Sequence, residues 1–449
     1  MLINFRRKIE VIAKARKDRA IYGFLRNLNC KEEQMKPTRL FSLLIGALFV
    51  FSSAKTVCSQ PASASQTKSP IKIGWIGALT GPLAQGSAAA LRGSKLAFKE
   101  ANWEVAGRKI EMVVEDDAYN PGVTVTKVKK LLFSDKINLL MGPWANASGL
   151  AIIDFIKANK LITVTYQCAQ SSLTEDKYTP YFFRSSFNDA GQATPFEGWL
   201  TYHLGYRKVA CISLDTAYGH SCLDGFKKSF EKLGGKITQE IYTPQGTTMD
   251  FAPYLAKIDT SKIDLIYSWL TGSDALRFVK QYSEYGYKKT PLFGANMIGE
   301  TYLPELGDTA LGIHGILYYV QSLPNPENQR FLKMYSNEYG PELTKQVAAF
   351  DVQGYEASKL IIAGLRAVKG KVEDSGALMK ALEKVQFESP RGPLKLDDHH
   401  NAVFLNYLFR VEKVGDRYQN TVLKAYGPLY QGWFEAGFQP PEVPVPGSK

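Results

Sequence analysis

The chain has 449 residues, 45% of them apolar and 22% charged, which suits a globular protein with room for two domains and excludes a disordered or fibrous chain. The formal net charge of +12 is uneven, because residues 1–64 carry 12 Lys and Arg against 4 Asp and Glu, leaving only +4 on the rest. Basicity concentrated in a leader is no signature of nucleic-acid binding, so no nucleic-acid partner is expected.

Residues Leu40 to Phe51 form an apolar run of twelve, short of the roughly 20 needed to span a bilayer. Lys36 and Arg39 precede it and small residues, among them Ala62-Ser63-Ala64, follow it, giving the three parts of a secretory signal over 35–64. A buried core helix is the competing reading, but no amphipathic context surrounds the run. Met35 followed by Lys36 makes a natural start, so residues 1–34 read as a gene-start error and take no part in the fold argument. Cys58 follows Ala54-Lys55-Thr56-Val57, a poor lipidation site, which favours soluble export. Beyond the signal only Cys168, Cys211 and Cys222 remain, without metal-ligand spacing, and a chain of this size needs no disulfide framework.

From residue 71 strand and helix signals alternate. Ile71 to Ile76 reads as a strand broken by Gly77, Gly81 and Pro82, and Ser87 opens a helix reaching Ala101. Further strands read at 109–115, 139–141, 162–165, 208–213, 236–242, 265–269, 291–293 and 315–320. Helices intervene at 122–134, 149–159, 190–203, 221–233, 251–257 and 273–285, and a longer one spans 347–368. This order predicts an α/β fold with two Rossmann-like lobes, each a mostly parallel sheet flanked by helices. Crossovers between lobes are expected at 184–189, 321–326 and 403–405. The expected lobes are 70–188 with 322–403 and 189–321 with 404–436. The proline-rich tail 437–449 is expected to be extended or disordered.

A set of short segments, in order, carries a resemblance. Ile71 to Pro82, Val113-Val114-Glu115-Asp116-Asp117, Leu140-Met141-Gly142-Pro143, Phe183-Arg184-Ser185 leading to Asp189 and Gln192, Asp215-Thr216-Ala217-Tyr218-Gly219, Gly294-Ala295-Asn296 and Arg391-Gly392-Pro393-Leu394 together resemble the periplasmic solute-binding proteins for branched-chain amino acids of ABC importers. The resemblance covers roughly residues 70–425. It implies the type I periplasmic binding protein fold, with two lobes and three hinge crossovers, closing on a small carboxylate-bearing solute. It also implies a periplasmic location, permease subunits in the inner membrane as partners, a monomeric receptor, and no cofactor.

The resemblance carries roles onto single positions. Asn146 stands where the family has a serine holding the ligand carboxylate; it equally suits capping the following helix. Gln167 and Ala169 match contacting positions of the loop after the fourth strand, with the family threonine replaced by Ala169. Asp189 matches an acid able to receive an ammonium, and also suits the N-cap of the helix at Ala190. Tyr218 matches a cleft tyrosine, and Trp269 with Leu270 and Thr271 reaches the cleft edge or the core. Asn296 stands where amino-acid binders often carry an acid, so an α-ammonium would lose its partner there. Trp144 adds a ring near the entrance, and Gly86 leaves space where the family often has an aromatic. The rings suit a flat or aromatic acid or an amide as well as leucine.

Enzymatic readings find little support. Asp397-Asp398-His399-His400 resembles metal chemistry, but four consecutive residues on a turn cannot converge on one ion. There is no nucleophile elbow and no phosphate loop. Cys168 lies in a candidate ligand loop with nothing adjacent to activate it. A solute-sensing subunit for a membrane signalling receptor stays open as an alternative to transport.

Overall fold

A computed structural model of the chain describes residues 69–294 and 298–448. The expected export signal, the segment upstream of it and Asn296 lie outside the described residues.

Apolar runs flanked by glycine build the first sheet. Its strands are β1 (Ile71–Gly77), β2 (Glu104–Val105), β3 (Arg108–Asp116), β4 (Leu139–Met141), β5 (Thr163–Thr165) and β6 (Phe182–Arg184), in the order β2-β3-β1-β4-β5-β6. All pairs are parallel except β2 with β3. Strand β1 buries every residue but Lys72, as a parallel strand covered by helices on both faces requires. Trp75 on β1 stacks on Tyr166 at 5.1 Å, anchoring the sheet centre.

The second sheet starts from β7 (Lys208–Leu214), β8 (Lys236–Thr243), β9 (Leu265–Trp269), β10 (Leu292–Gly294) and β11 (His314–Leu317), parallel in the order β8-β7-β9-β10-β11. The alternation predicted these strands. It did not predict β12 (Gln386–Ser389), β13 (Gly392–Leu396), β14 (Ala402–Val414) and β15 (Arg417–Leu429), which pair antiparallel. Strand β14 hydrogen-bonds to β11 and turns into β15 through Gly415 at φ +60°, so the sheet has an antiparallel edge. The tail is extended but ordered: Glu442–Val443 (β16) pairs antiparallel with β15.

The longer helices are α1 (Ala84–Glu100), α2 (Pro121–Phe133), α3 (Asn146–Asn159), α4 (Thr194–His203), α5 (Ala217–Lys232), α6 (Gly272–Glu284), α7 (Pro326–Tyr339), α8 (Ala349–Ala367) and α9 (Ser375–Leu382). Helices α1 and α8 meet backbone to backbone at Gly93 and Gly354, where a Cβ on either would collide with the other helix. The chain passes between the lobes after β6, after β11 and along β14, which belongs with β12 and β13 to the second sheet while Asn401 just before it bridges to Arg184 of the first. At the first passage a π-turn over Asp189–Ala193 precedes α4. Its cap is Asn188, whose side chain accepts from Gly191 N, rather than Asp189. Gln192 holds the wide turn open, accepting from Asn188 N and donating to Ala402 O and Leu429 O.

Among the described residues no helix is long and apolar enough to cross a membrane. No group of three or more His, Cys, Asp or Glu among them is placed to hold a metal. In the Asp397–His400 turn, Asp397 instead accepts from the backbone of His399 and Asn401, and His400 stacks on Phe183 at 4.2 Å.

Candidate functional site

Loops that follow β1, β3, β4 and β5 in the first lobe face loops that follow β7, β8 and β9 in the second. Between them lies a cavity of about 160 Å³. Parallel sheets expose such loops at the carboxyl ends of their strands, which is where α/β proteins bind ligands.

Asp116 shapes the first of these loops. Its Oδ1 accepts from Leu79 N at 2.8 Å and its Oδ2 from the Thr80 hydroxyl at 2.7 Å. These bonds also hold its carboxyl below the usual range in spite of partial burial. The loop so fixed touches the second lobe: a Cβ on Gly246 would lie 3.6 Å from Pro82 Cβ, and one on Gly272 would lie 3.5 Å from Pro82 O. Tyr119 adds a bond across the cleft, its hydroxyl donating to Gln245 Oε1 at 3.2 Å.

Trp144 lines the cavity and packs on Phe350 at 4.9 Å and Tyr166 at 6.2 Å. Gly86 permits this approach, since a Cβ there would lie 2.9 Å from Trp144 Cη2 and 3.1 Å from Phe350. The space expected above Gly86 is therefore filled by two rings from elsewhere in the chain.

Asn146 lies in the first turn of α3, a helix with no side-chain cap, and both Ala145 and Asn146 line the cavity. The first-turn N–H groups of this helix therefore sit at the cavity wall, a favourable place for an anion. The Asn146 side chain is committed inward. Its Oδ1 accepts from Ala169 N at 2.9 Å and Gln170 N at 3.1 Å, and its Nδ2 donates to Asp189 Oδ2 at 3.0 Å. That amide is a brace between two loops.

Asp189 is fully buried and does not line the cavity. Its Oδ1 accepts from Ser171 N at 3.0 Å, from the Ser171 hydroxyl and from Ala190 N at 2.7 Å. Burial still pushes its carboxyl above the usual range, against those bonds and the nearby Arg184. Ala169 stands away from the cavity, its N–H bound to Asn146 and its carbonyl accepting from Asp189 N at 2.9 Å.

Gln167 and Tyr218 do line the cavity. Gln167 is 7% exposed, and its Oε1 is buried without a hydrogen-bond partner. Trp269 sits behind Tyr218 at 6.0 Å between rings, buried, and lines a separate small void with Phe187 and Glu197. Cys168 is buried, and burial pushes its thiol up to about 12, so it is inert.

Tyr119, Gln245, Ser273, Tyr302 and Phe350 are among the wall residues that the sequence did not mark, while Thr271, which it did, also lines the cavity. The first two follow β3 and β8, so the carboxyl-end rule alone would have found them. Phe350 comes from α8, distant in sequence, and nothing local marks it. No Asp, Glu, Lys, Arg or His lines the cavity among the described residues.

Two sheets closing over one uncharged chamber define a cleft-type binding protein. The chain belongs to the periplasmic binding protein family, whose profile matches residues 70–416. The members of this family are receptors and not enzymes, and the chain is an ABC-transporter solute-binding protein with the two-lobed α/β fold. It is 26% identical over 381 residues to the Leu/Ile/Val-binding protein homolog 6 of Brucella melitensis, covering 83% of this chain and 96% of that one. An ABC transporter substrate-binding protein from Sphaerobacter thermophilus is 31% identical with a TM-score of 0.76, over 81% of this chain and 99% of that one. A solute-binding protein of an ABC transporter from R. palustris, in complex with benzoate, is 28% identical with a TM-score of 0.73, over 85% and 99%.

Proposed function

We propose that the chain is an exported receptor that closes on a small aromatic carboxylate of the benzoate class and delivers it to a membrane permease. The observation that carries this reading is the wall: aromatic rings, neutral amides and hydroxyls, and the uncapped N-terminus of α3, with no ionised side chain among the described residues. An amino acid brings an ammonium as well as a carboxylate, and desolvating an ammonium without an acid partner is costly. The acid behind this wall, Asp189, is already paired. A carboxylate alone is provided for by backbone N–H groups and the helix dipole.

The volume agrees. A cavity of about 160 Å³ matches the roughly 150 Å³ void known to take one benzene ring. The R. palustris relative, described with benzoate, supports the same ligand class. On this reading the ligand-facing groups are Trp144, the N–H groups around Asn146, Gln167 and Tyr218. Asp189 and Ala169 position the loop, and Trp269 backs Tyr218. The lobes are 70–188 with 322–403 and 189–321 with 404–436, and the receptor acts as a monomer in the periplasm.

Calorimetric titration with benzoate, 4-hydroxybenzoate, 3,4-dihydroxybenzoate and leucine tests the proposal. At least one benzoate should bind at micromolar concentration or tighter, with leucine silent. Tight leucine binding without response to the benzoates would overturn it.

A further inference from the structure

The segment Arg391-Gly392-Pro393-Leu394 stands out in the sequence, yet no part of it lines the cavity. Arg391 is fully buried, and its guanidinium donates from Nε to Glu356 Oε1 of α8 at 2.9 Å and keeps Nη2 in ion-pair contact with Oε2 at 2.7 Å, outside hydrogen-bond geometry. Nη2 also donates to Ser185 O, immediately after β6 where the chain first leaves the first sheet. The Cζ of the same guanidinium lies over the ring of Phe404 at 4.3 Å and over that of Tyr318 at 5.2 Å. Phe404 is on β14, which makes the third passage, and Tyr318 follows β11, where the second begins. The Arg391 carbonyl accepts from the Tyr407 hydroxyl, again on β14, at 2.6 Å. One side chain thus meets all three passages between the lobes.

The two kinds of contact differ in what motion they allow. The Nε bond to Glu356 and the Nη2 bond to Ser185 are directional, and with the ion pair they fix the guanidinium to the first lobe. The contacts to Phe404 and Tyr318 are face contacts, whose strength depends weakly on rotation about the ring normal. Tyr318 is itself held through its hydroxyl, which accepts from Gln353 Nε2 of α8. Hinge closure needs small backbone changes at the passages and an axis that keeps the lobes in register.

We infer that Arg391 is the swivel of the hinge, a positioning residue that aligns the lobes on closure and so sets ligand affinity without touching ligand. The inference rests on the two-lobed receptor reading above. Loss of the swivel lowers the fraction of molecules that close in register, and apparent affinity falls by that same fraction. Lys at this position keeps the charge but has neither the Nε donor nor the flat face. A double variant, Arg391→Met with Glu356→Gln, leaves no stranded buried charge and so guards against simple unfolding.

The test is small-angle scattering and calorimetry on the mature chain, with 4-hydroxybenzoate, benzoate and leucine as probes. Wild type should contract on saturation with a probe it binds. Arg391→Lys and the double variant should bind that probe at least tenfold more weakly well below their melting temperatures, with a smaller or broader contraction. A lowered melting temperature with wild-type affinity and contraction in both variants would assign Arg391 a purely structural role and overturn the inference. Wild type that binds a probe without contracting would overturn the closure reading, and this inference with it.

Discussion

The side-chain amide of Asn146 donates to Asp189 Oδ2 at 3.0 Å, which ties the first turn of α3 to the first passage between the lobes. The bond braces α3 against a buried acid that does not line the cavity. Asn146→Ala would strand the N–H groups of Ala169 and Gln170 and remove a donor from a buried carboxylate. We expect a stability loss of about 1–3 kcal/mol in urea denaturation, at the scale of unmade buried bonds. Unchanged stability with lost ligand affinity would place the amide against the ligand instead.

Gly86 is a cavity-wall glycine at which a single methyl would press on two rings. Gly86→Ala would set a Cβ against Trp144 and Phe350 and drive those rings toward the ligand. Overpacking of this kind costs about 1–3 kcal/mol. A titration should show weaker binding for the largest ring ligands first, and equal affinity for all ligands would contradict the geometry.

The bond from Tyr119 to Gln245 crosses the cleft and exists only while the lobes are together. Removing the hydroxyl in Tyr119→Phe should speed ligand release by up to roughly tenfold, since a hydrogen bond contributes about 0.5–1.5 kcal/mol net. Stopped-flow fluorescence would separate this from association, which should stay near wild type.

Glu300 is fully buried beside the second passage, its Oε1 accepting from Gln321 N at 2.9 Å, and burial raises its carboxyl to about 7. A folded value above the unfolded one means that the folded state keeps a proton the unfolded state has lost. Stability is thus fully present at pH below the unfolded value and falls as pH rises toward the folded value. Glu300→Gln should gain about 2–3 kcal/mol over wild type on going from pH 5 to pH 8. Parallel denaturation curves for the two proteins at both pH values would dismiss Glu300 as the titrating group.

The parallel strands were legible because Leu139–Met141 is an uninterrupted apolar run and Leu265–Trp269 is apolar but for Ser268, both buried in full. The hairpin β14–β15 was missed although Arg410-Val411-Glu412 alternates as a strand does, because its partner in the sheet, β11, lies far back in the chain. Asn146, Gln167 and Tyr218 were reached through the family resemblance and Trp144 as their neighbour, and all four line the cavity. The orientation of Asn146 was not legible, because its partner Asp189 lies 43 residues away. Phe350 escaped for the same reason, a helix residue brought to the cavity by the packing of α8 on α1. The swivel contacts of Arg391 join four segments, and no local pattern encodes such a meeting.

The lack of charge among the described residues of the chamber wall has a thermodynamic consequence. The titratable residues there are tyrosines, and burial lifts Tyr119, Tyr218 and Tyr302 further above their ordinary range. The positive end of α3 is a property of the backbone and has no proton to give up. An anion held there would enter and leave without exchanging a proton with the wall. Calorimetric enthalpies measured near neutral pH in phosphate and in Tris should then coincide, and uptake would draw nothing from the proton balance of the compartment.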